Sequence, residues 1–180
     1  MEIAERNEEN PTGLAAVRAL LLTGYRISEV IGMERSWLHA DRGYVHFPDT
    51  KTDGQVRPIG QVAIQLLKGQ PEKRGLSLFF PSDFVDRPYS GVPETLRALC
   101  AIAGVKGVTP HILRHTFGSV AGDMGFSELT IKALLGHGAR GSTQNYVHID
   151  EALRMAVERV SSKIDQLLRR ETAVILDWAA

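Results

Sequence analysis

A histidine and an arginine lie three residues apart in a helix-like stretch of the chain's C-terminal half. These residues, His111 and Arg114, share one helix face at that spacing. Thr109 and Pro110 come just before them and are typical of a helix cap and a first helical turn. Charged and polar side chains on an opening turn are well placed to meet an anion, because backbone N–H groups point the same way. Taken alone, the pair is equally typical of an ordinary surface helix.

A second cluster follows about twenty residues later. His137 ends an apolar helix-like run, and Tyr146 follows it after a turn rich in glycine and serine. A tyrosine hydroxyl can serve as a nucleophile if another group takes its proton, since its ordinary pKa is about 10. Without further motifs, Tyr146 is more typical of a core tyrosine, and His137 of a helix C-terminal cap.

Two basic residues lie earlier in the chain, each next to a predicted turn. Arg26 follows the glycine expected to end a first helix, at the corner before a second helix predicted from Ser28 to Trp37. Lys51 precedes an Asp-Gly turn signal between two predicted strands, Tyr44–Phe47 and Val56–Ile59. Local sequence alone favours a surface arginine and a solvated hairpin lysine.

Four motifs in one order give these residues a common context. They are TGYRISEV at Thr23–Val30 with the lysine-bearing hairpin after it, HILRH, LLGHG at Leu134–Gly138, and STQNYVH. This set resembles the catalytic domain of the tyrosine recombinases, the phage integrase family, over about Thr12 to Asp150. The resemblance implies a mixed α+β, mainly helical fold with a small antiparallel sheet on one edge. It also implies six catalytic residues: Arg26, Lys51, His111, Arg114, His137 and Tyr146.

The implied chemistry is phosphodiester exchange without a metal ion, a cofactor or ATP. A guanidinium stays charged and fits two phosphate oxygens, so Arg26 and Arg114 are expected to clamp the scissile phosphate. By the resemblance, Tyr146 is the nucleophile and forms a 3′-phosphotyrosyl link. In the same way, His111 is its general base, His137 a hydrogen-bond donor to the phosphate and Lys51 the general acid.

Other residues receive no catalytic role at this stage. His115 is expected to be structural. Arg57, in the second predicted strand, is expected to contact the DNA backbone or to have no role. Pro58 confines that strand to a sheet edge. The six histidines are too scattered for a zinc pattern, and the acidic residues show no paired-carboxylate signature of a magnesium nuclease.

Bulk properties set few limits on function. The 180 residues suffice for one domain, and Lys+Arg and Asp+Glu both number 21, so the net charge is zero. Zero charge counts mildly against nucleic acid as a partner, because such domains usually carry a basic excess. One cysteine, Cys100, excludes a disulfide within the chain. No signal peptide or membrane-length apolar run is visible, so a cytoplasmic location without membrane association is expected.

The predicted organisation has three parts. Residues 1–11 are a polar lead, 12–170 the catalytic domain, and 171–180 an apolar tail expected to pack on a neighbouring protomer. The resemblance implies double-stranded DNA as partner and a tetramer on DNA, with a monomer expected when free. The family usually carries an N-terminal helical clamp, and only a short acidic lead precedes Arg26. Weak DNA affinity is therefore expected of this chain alone.

Two other functions on the same fold remain open from the sequence. One is a DNA-binding or regulatory module that does not cleave, and the other is an enzyme like the type IB topoisomerases, which share this chemistry. The DNA target, and the choice between integration, excision and dimer resolution, are beyond the sequence because base-reading residues do not stand out from phosphate contacts.

Overall fold

One apolar helix lies at the centre of the molecule. The computed structural model describes residues 10–48, 54–72, 75–83, 87–137 and 151–177, with side chains as far as 169. Helix α1, Pro11–Thr23, is capped by the Asn10 side chain and ends at Gly24, whose φ is 63°. Its buried residues surround the helix on nearly all sides: Leu14, Ala15, Ala16, Val17, Ala19, Leu20 and Leu22. A helix that is apolar all round must be enclosed by other elements.

The other elements follow in one simple order. Helix α2 is Ile27–Ile31, and strands β1, β2 and β3 are Leu38–His39, Tyr44–Phe47 and Gln55–Pro58. Helices α3 to α7 are Gln61–Lys68, Val92–Ile102, Pro110–Asp123, Glu128–Leu135 and Glu151–Asp177. Helix α1 packs against α3, α4, α5 and α7, and α5 packs in turn against α6 and α7. The predicted fold class, mainly helical with a small antiparallel sheet, is confirmed.

The three strands form an antiparallel sheet in the order β1-β2-β3. In the β2–β3 pair, Val45 lies opposite Arg57 and Phe47 opposite Gln55. Strand β3 begins and ends one residue earlier than the predicted strand Val56–Ile59. It is an edge strand, as Pro58 required, because proline lacks the N–H that an interior strand needs.

Two predicted elements are shorter than expected. Helix α2 ends at Ile31 rather than continuing to Trp37, because Gly32 breaks it and Met33 then turns into the core with 1% exposure. The apolar Leu76–Phe80 stretch, LSLFF, is typical of a short buried strand or a core plug. It fills the core with Phe79 and Phe80 and makes a single bridge, between Leu78 and Glu34.

The long helix α7 closes the fold against α1, α3 and α6. Its Glu158 carboxylate accepts the backbone N–H of Gln61 at 2.7 Å, so one helix caps the first turn of another. The helix continues to Asp177, past residue 170 where the predicted domain ended. The proposed packing role of the 171–180 tail lies outside the described side chains. Within the described part of the chain, no helix is both long and apolar enough to cross a membrane.

Candidate functional site

Arg114 enters the molecule from the first turns of α5. The Thr109 hydroxyl caps this helix by accepting the Ile112 N–H, and Pro110 occupies its first position, as the sequence predicted. Leu113 and Phe117 on the same helix are buried at 6% and 0% exposure, so the face they share with Arg114 turns inward. Arg114 itself is only 5% exposed. A charged side chain this deep requires hydrogen-bond partners.

Those partners come from two distant segments. One Arg114 Nη1 hydrogen donates to the Gly24 carbonyl at 2.7 Å, and Nη2 donates to the Leu135 carbonyl at 2.5 Å. The same Nη2 lies 2.9 Å from Nε2 of His137. Three of the five N–H donors of the guanidinium are then used, which leaves two for another acceptor. Arg114 therefore joins the end of α1, its own helix and the end of α6.

His137 has a tautomer that follows from this bond. An arginine only donates, so Nε2 of His137 must accept and the neutral ring carries its proton on Nδ1. Partial desolvation lowers the pKa of His137, and the positive charges of Arg114, Arg26, Arg57 and Lys132 lower it further. The imidazole is therefore neutral at pH 7 and carries an N–H donor on Nδ1.

Arg26 lies at the start of α2, two residues after the carbonyl that Arg114 holds. Its backbone N–H donates to Oε2 of Glu29 at 2.7 Å, and its Nη1 donates to Oε1 at 2.8 Å. The Arg26 side chain is 47% exposed, so it remains accessible to a ligand. Pairing of Arg26 with Glu29 thus coexists with a position beside the buried arginine.

The lowered pKa of Arg114 indicates that Arg26 and Arg57 are close enough to act on it. Burial lowers the pKa of Arg114 to about 10, and the charges of Arg57 and Arg26 contribute to the same effect. The side chain remains charged at neutral pH. Mutually repelling cations held in place are favourable for an anion that enters between them.

His111 contacts another histidine on the same helix. Both His111 and His115 are exposed on α5, and their Nε2 atoms lie 2.8 Å apart. A hydrogen bond between two such atoms needs one proton, so one ring donates and the other accepts. The prediction of a purely structural His115 left out this contact with a candidate catalytic residue.

A contact between Arg57 and the DNA backbone, one of the two expectations for this residue, does not fit the structure. Its side chain is 1% exposed, and its Nη2 donates to the Leu134 carbonyl at 2.6 Å. A residue this enclosed cannot reach a DNA backbone, and its contacts give it a place in the site. The missed signal is positional: Arg57 pairs with buried Val45, so both side chains point to the same inner face of the sheet.

Arg26, Arg114 and His137 lie together in the described part of the structure. Buried Arg57 belongs to the same group. His111 is one turn before Arg114 on α5 but bonds to His115 instead. Lys51 and Tyr146 lie outside the described residues. In the described ranges, no three His, Cys, Asp or Glu side chains form a group suited to a metal ion.

Comparison with known proteins gives the family of the chain. The family model described as "Phage integrase family" matches residues 1–152. The chain belongs to the phage integrase family. It is 29% identical over 155 residues to tyrosine recombinase XerD of Chlorobaculum tepidum, covering 81% of this chain and 51% of the relative. The chain thus spans about half the length of the curated relatives it matches.

Solved structures of phage integrase family members share the fold. The integrase from mycobacterium phage Brujita superimposes with a TM-score of 0.69 at 19% identity, over 85% of this chain and 53% of that one. The XerH site-specific recombinase bound to its difH substrate gives a TM-score of 0.61 at 17% identity, over 84% and 48%. The predicted tyrosine recombinase catalytic fold is therefore confirmed.

Proposed function

We propose that this chain is the catalytic part of a site-specific DNA recombinase. It would cleave and rejoin DNA strands through a 3′-phosphotyrosyl intermediate, without a metal ion or ATP. The observation that carries the proposal is the meeting of Arg114, His137 and Arg26, which come from three different elements. Membership of the phage integrase family supports it.

The arginines account for the charge that a metal would otherwise neutralise. Arg114 keeps two N–H donors beyond its protein bonds, and exposed Arg26 lies close enough to perturb its pKa. A phosphate between them would receive bidentate, charge-assisted hydrogen bonds that strengthen as charge builds up in the transition state. Loss of one such donor typically costs about 3–4 kcal/mol of transition-state stabilisation.

The protonation state of His137 suits a donor to that phosphate. Its Nε2 accepts from Arg114, so Nδ1–H is the group that would meet a non-bridging oxygen. We assign the remaining steps as the family resemblance implies. Tyr146 attacks the phosphorus, His111 takes its proton, and Lys51 protonates the departing 5′ oxygen. The phosphotyrosine conserves the bond energy, and reversal of the step rejoins a strand.

The partner is double-stranded DNA, and the assembly on it is a tetramer that exchanges strands in pairs. XerH, which shares the fold, is bound to a DNA substrate in its solved structure. Residues 12–170 would form the catalytic domain, and the 171–180 tail would pack on the neighbouring protomer. Deleting Thr172–Ala180 is expected to weaken assembly on DNA in sedimentation, and unchanged assembly would reject this role for the tail.

Covalent capture tests the proposal. The chain is incubated in EDTA with a library of nicked duplexes whose central base pairs are randomised, and SDS-resistant adducts are counted. The parent chain and Tyr44→Phe, a change at a half-buried tyrosine of the sheet, are expected to form adducts. Tyr146→Phe is expected to form none.

The alternatives give different results in this assay, in the same assay with Mg²⁺ in place of EDTA, and on supercoiled plasmid. Adducts absent from the parent chain, with DNA still bound, would identify a module that does not cleave. Adducts with no sequence preference, together with relaxation of supercoiled plasmid, would indicate an enzyme like the type IB topoisomerases. Cleavage that requires a divalent ion and leaves no adduct would identify a nuclease and overturn the proposal.

A further inference from the structure

Arg57 is the most enclosed charged side chain in the described part of the molecule. Its guanidinium stacks over the Tyr25 ring at 4.6 Å from the centroid, and its Nη2 donates to the Leu134 carbonyl. Its Nη1 lies 3.6 Å from Oε1 of Glu29. A Cβ on Gly136 would overlap the guanidinium, so the backbone after α6 packs directly on it.

These contacts connect β3 to two segments that carry candidate catalytic residues. Arg57 belongs to β3. Glu29 belongs to α2, and its carboxylate accepts hydrogen bonds from both the backbone N–H and the guanidinium of Arg26. Leu134 lies three residues before His137, at the end of α6. Gln55 adds a second link from β3, since its side-chain amide donates to the Gly136 carbonyl at 3.4 Å.

The arrangement is not explained by stability alone. Nε and Nη1 of Arg57 are buried and make no hydrogen bond, although Nη1 faces the Glu29 carboxylate. A buried charge that is only partly satisfied costs free energy, and an apolar residue of similar length often serves stability equally well. An arginine offers what an apolar side chain cannot, which is a guanidinium fork that places a positive charge beside the Glu29 carboxylate and donates a hydrogen bond to the Leu134 carbonyl.

We propose that Arg57 is a positioning residue. It holds Glu29, and through it Arg26, in a fixed relation to the Leu134–His137 segment, so that the phosphate clamp is assembled before DNA arrives. It does not touch the phosphate itself. Its effect on cleavage rests on the proposed function above, whereas its effect on the positions of Arg26 and His137 does not.

Arg57→Met tests this role against a matched control. Methionine keeps length and can lie on the Tyr25 ring but removes the fork. The control, Arg35→Met, changes another arginine that stacks over an aromatic ring, Phe79 at 4.9 Å. Arg35 also donates to two backbone carbonyls, Gln70 and Pro71, and it contacts none of the candidate catalytic residues. Glu29→Gln is a second variant, which keeps the side-chain shape but weakens the link to Arg26.

Two readouts separate the possible results. In NMR spectra without DNA, Arg57→Met and Glu29→Gln are expected to shift the Arg26 amide and His137 imidazole signals, while Arg35→Met leaves both in place. In cleavage assays at saturating DNA, the first two variants are expected to lose about 100-fold in rate, the scale of a misplacement near 1 Å. Their DNA affinity is expected to stay within about threefold, since no phosphate contact is removed.

Several outcomes would overturn the proposal. Unchanged Arg26 and His137 signals in Arg57→Met would do so whether or not the parent chain cleaves DNA. A loss of DNA affinity that matches the loss of cleavage would make Arg57 a binding residue instead. If the parent chain forms no adduct, the recombinase proposal fails, and the NMR comparison still decides the positioning role.

Discussion

The Arg114 guanidinium lies 2.9 Å from Nε2 of His137, in a bond that joins the first turns of α5 to the second residue after α6. Because the same guanidinium holds the Gly24 carbonyl, the HILRH and LLGHG motifs meet the end of α1 at one buried point. Motifs far apart in sequence thus depend on one side chain for their geometry. This explains why Arg114 is expected to matter for folding as well as for chemistry.

Arg114→Ala should destabilise the fold. The substitution leaves the Gly24 and Leu135 carbonyls without their charged donor, and we expect a loss of about 2–4 kcal/mol in the free energy of unfolding. Urea titration measures it, with the slope checked for two-state behaviour. Arg97→Ala removes an arginine that is 74% exposed on α4, and it should change stability by less than about 0.5 kcal/mol. Equal effects of the two variants would contradict the buried anchoring role.

The lowered pKa of His137 predicts a pH dependence of stability. The unfolded chain has a histidine of ordinary pKa, about 6.5, so it takes up a proton before the folded chain does. The stability that this neutral ring contributes is present above about pH 7 and is lost as pH falls from 6.5 towards the lowered value. His137→Gln keeps an acceptor for Arg114 but does not titrate.

Urea unfolding of the parent and His137→Gln between pH 8 and pH 5 checks this sign. The difference in unfolding free energy should be constant above about pH 7.5 and should shift against the parent below about pH 6.5. A parent chain that gains stability relative to His137→Gln on acidification would show that the folded state favours the imidazolium, against the proposed tautomer.

Gly136 and Gly125 offer a matched pair for the close packing on Arg57. Both have positive φ, 71° and 83°, so alanine is strained at either position. A Cβ at Gly125 would meet open space, whereas one at Gly136 would overlap the Arg57 guanidinium. Gly125→Ala should cost about 1–2 kcal/mol from the backbone alone.

Gly136→Ala should cost at least about 1 kcal/mol more than Gly125→Ala, because the side chain of Arg57 must move. Thermal or urea unfolding of both variants gives the difference. Repeating the measurement in an Arg57→Met background should bring the two costs close together. If the gap persists there, the extra cost does not come from Arg57.

Local signals explain which parts of the fold could be predicted. Thr109 and Pro110 mark the start of α5, and Gly136 marks the end of α6, because caps and left-handed turns depend on a few adjacent residues. Ser127 marks the start of α6 in the same way, because its side chain accepts the Thr130 N–H. The prediction made helix α2 too long. Gly32 breaks the helix and Met33 turns into the core, and burial of Met33 depends on tertiary packing rather than on local sequence.

The buried face of a helix or strand is harder to predict. On α7 the helical spacing of Ala156, Val160, Ile164 and Leu167 predicts one buried face. The first three are buried, yet Leu167 is 42% exposed, and its neighbour Leu168 packs against the core in its place. Burial of Arg57 depends on the β2–β3 register, which no short stretch of sequence fixes. An arginine is also normally predicted to lie at the surface. The burial of Arg57 becomes clear only once its partners, Glu29 and Leu134, are known.

The central claim is that Arg26 and Arg114 converge on one phosphate and neutralise its charge, and a methylphosphonate substrate tests this most directly. Arg26 suits the test because its 47% exposure makes Arg26→Ala tolerable to the fold. On a captured target duplex, Arg26→Ala should cleave the natural phosphodiester about 100-fold or more slowly than the parent chain. With a methylphosphonate at the cleavage position the charge is gone, so the variant should approach the parent rate. An equal loss on both substrates would contradict the account, because Arg26 would then act on something other than the phosphate charge.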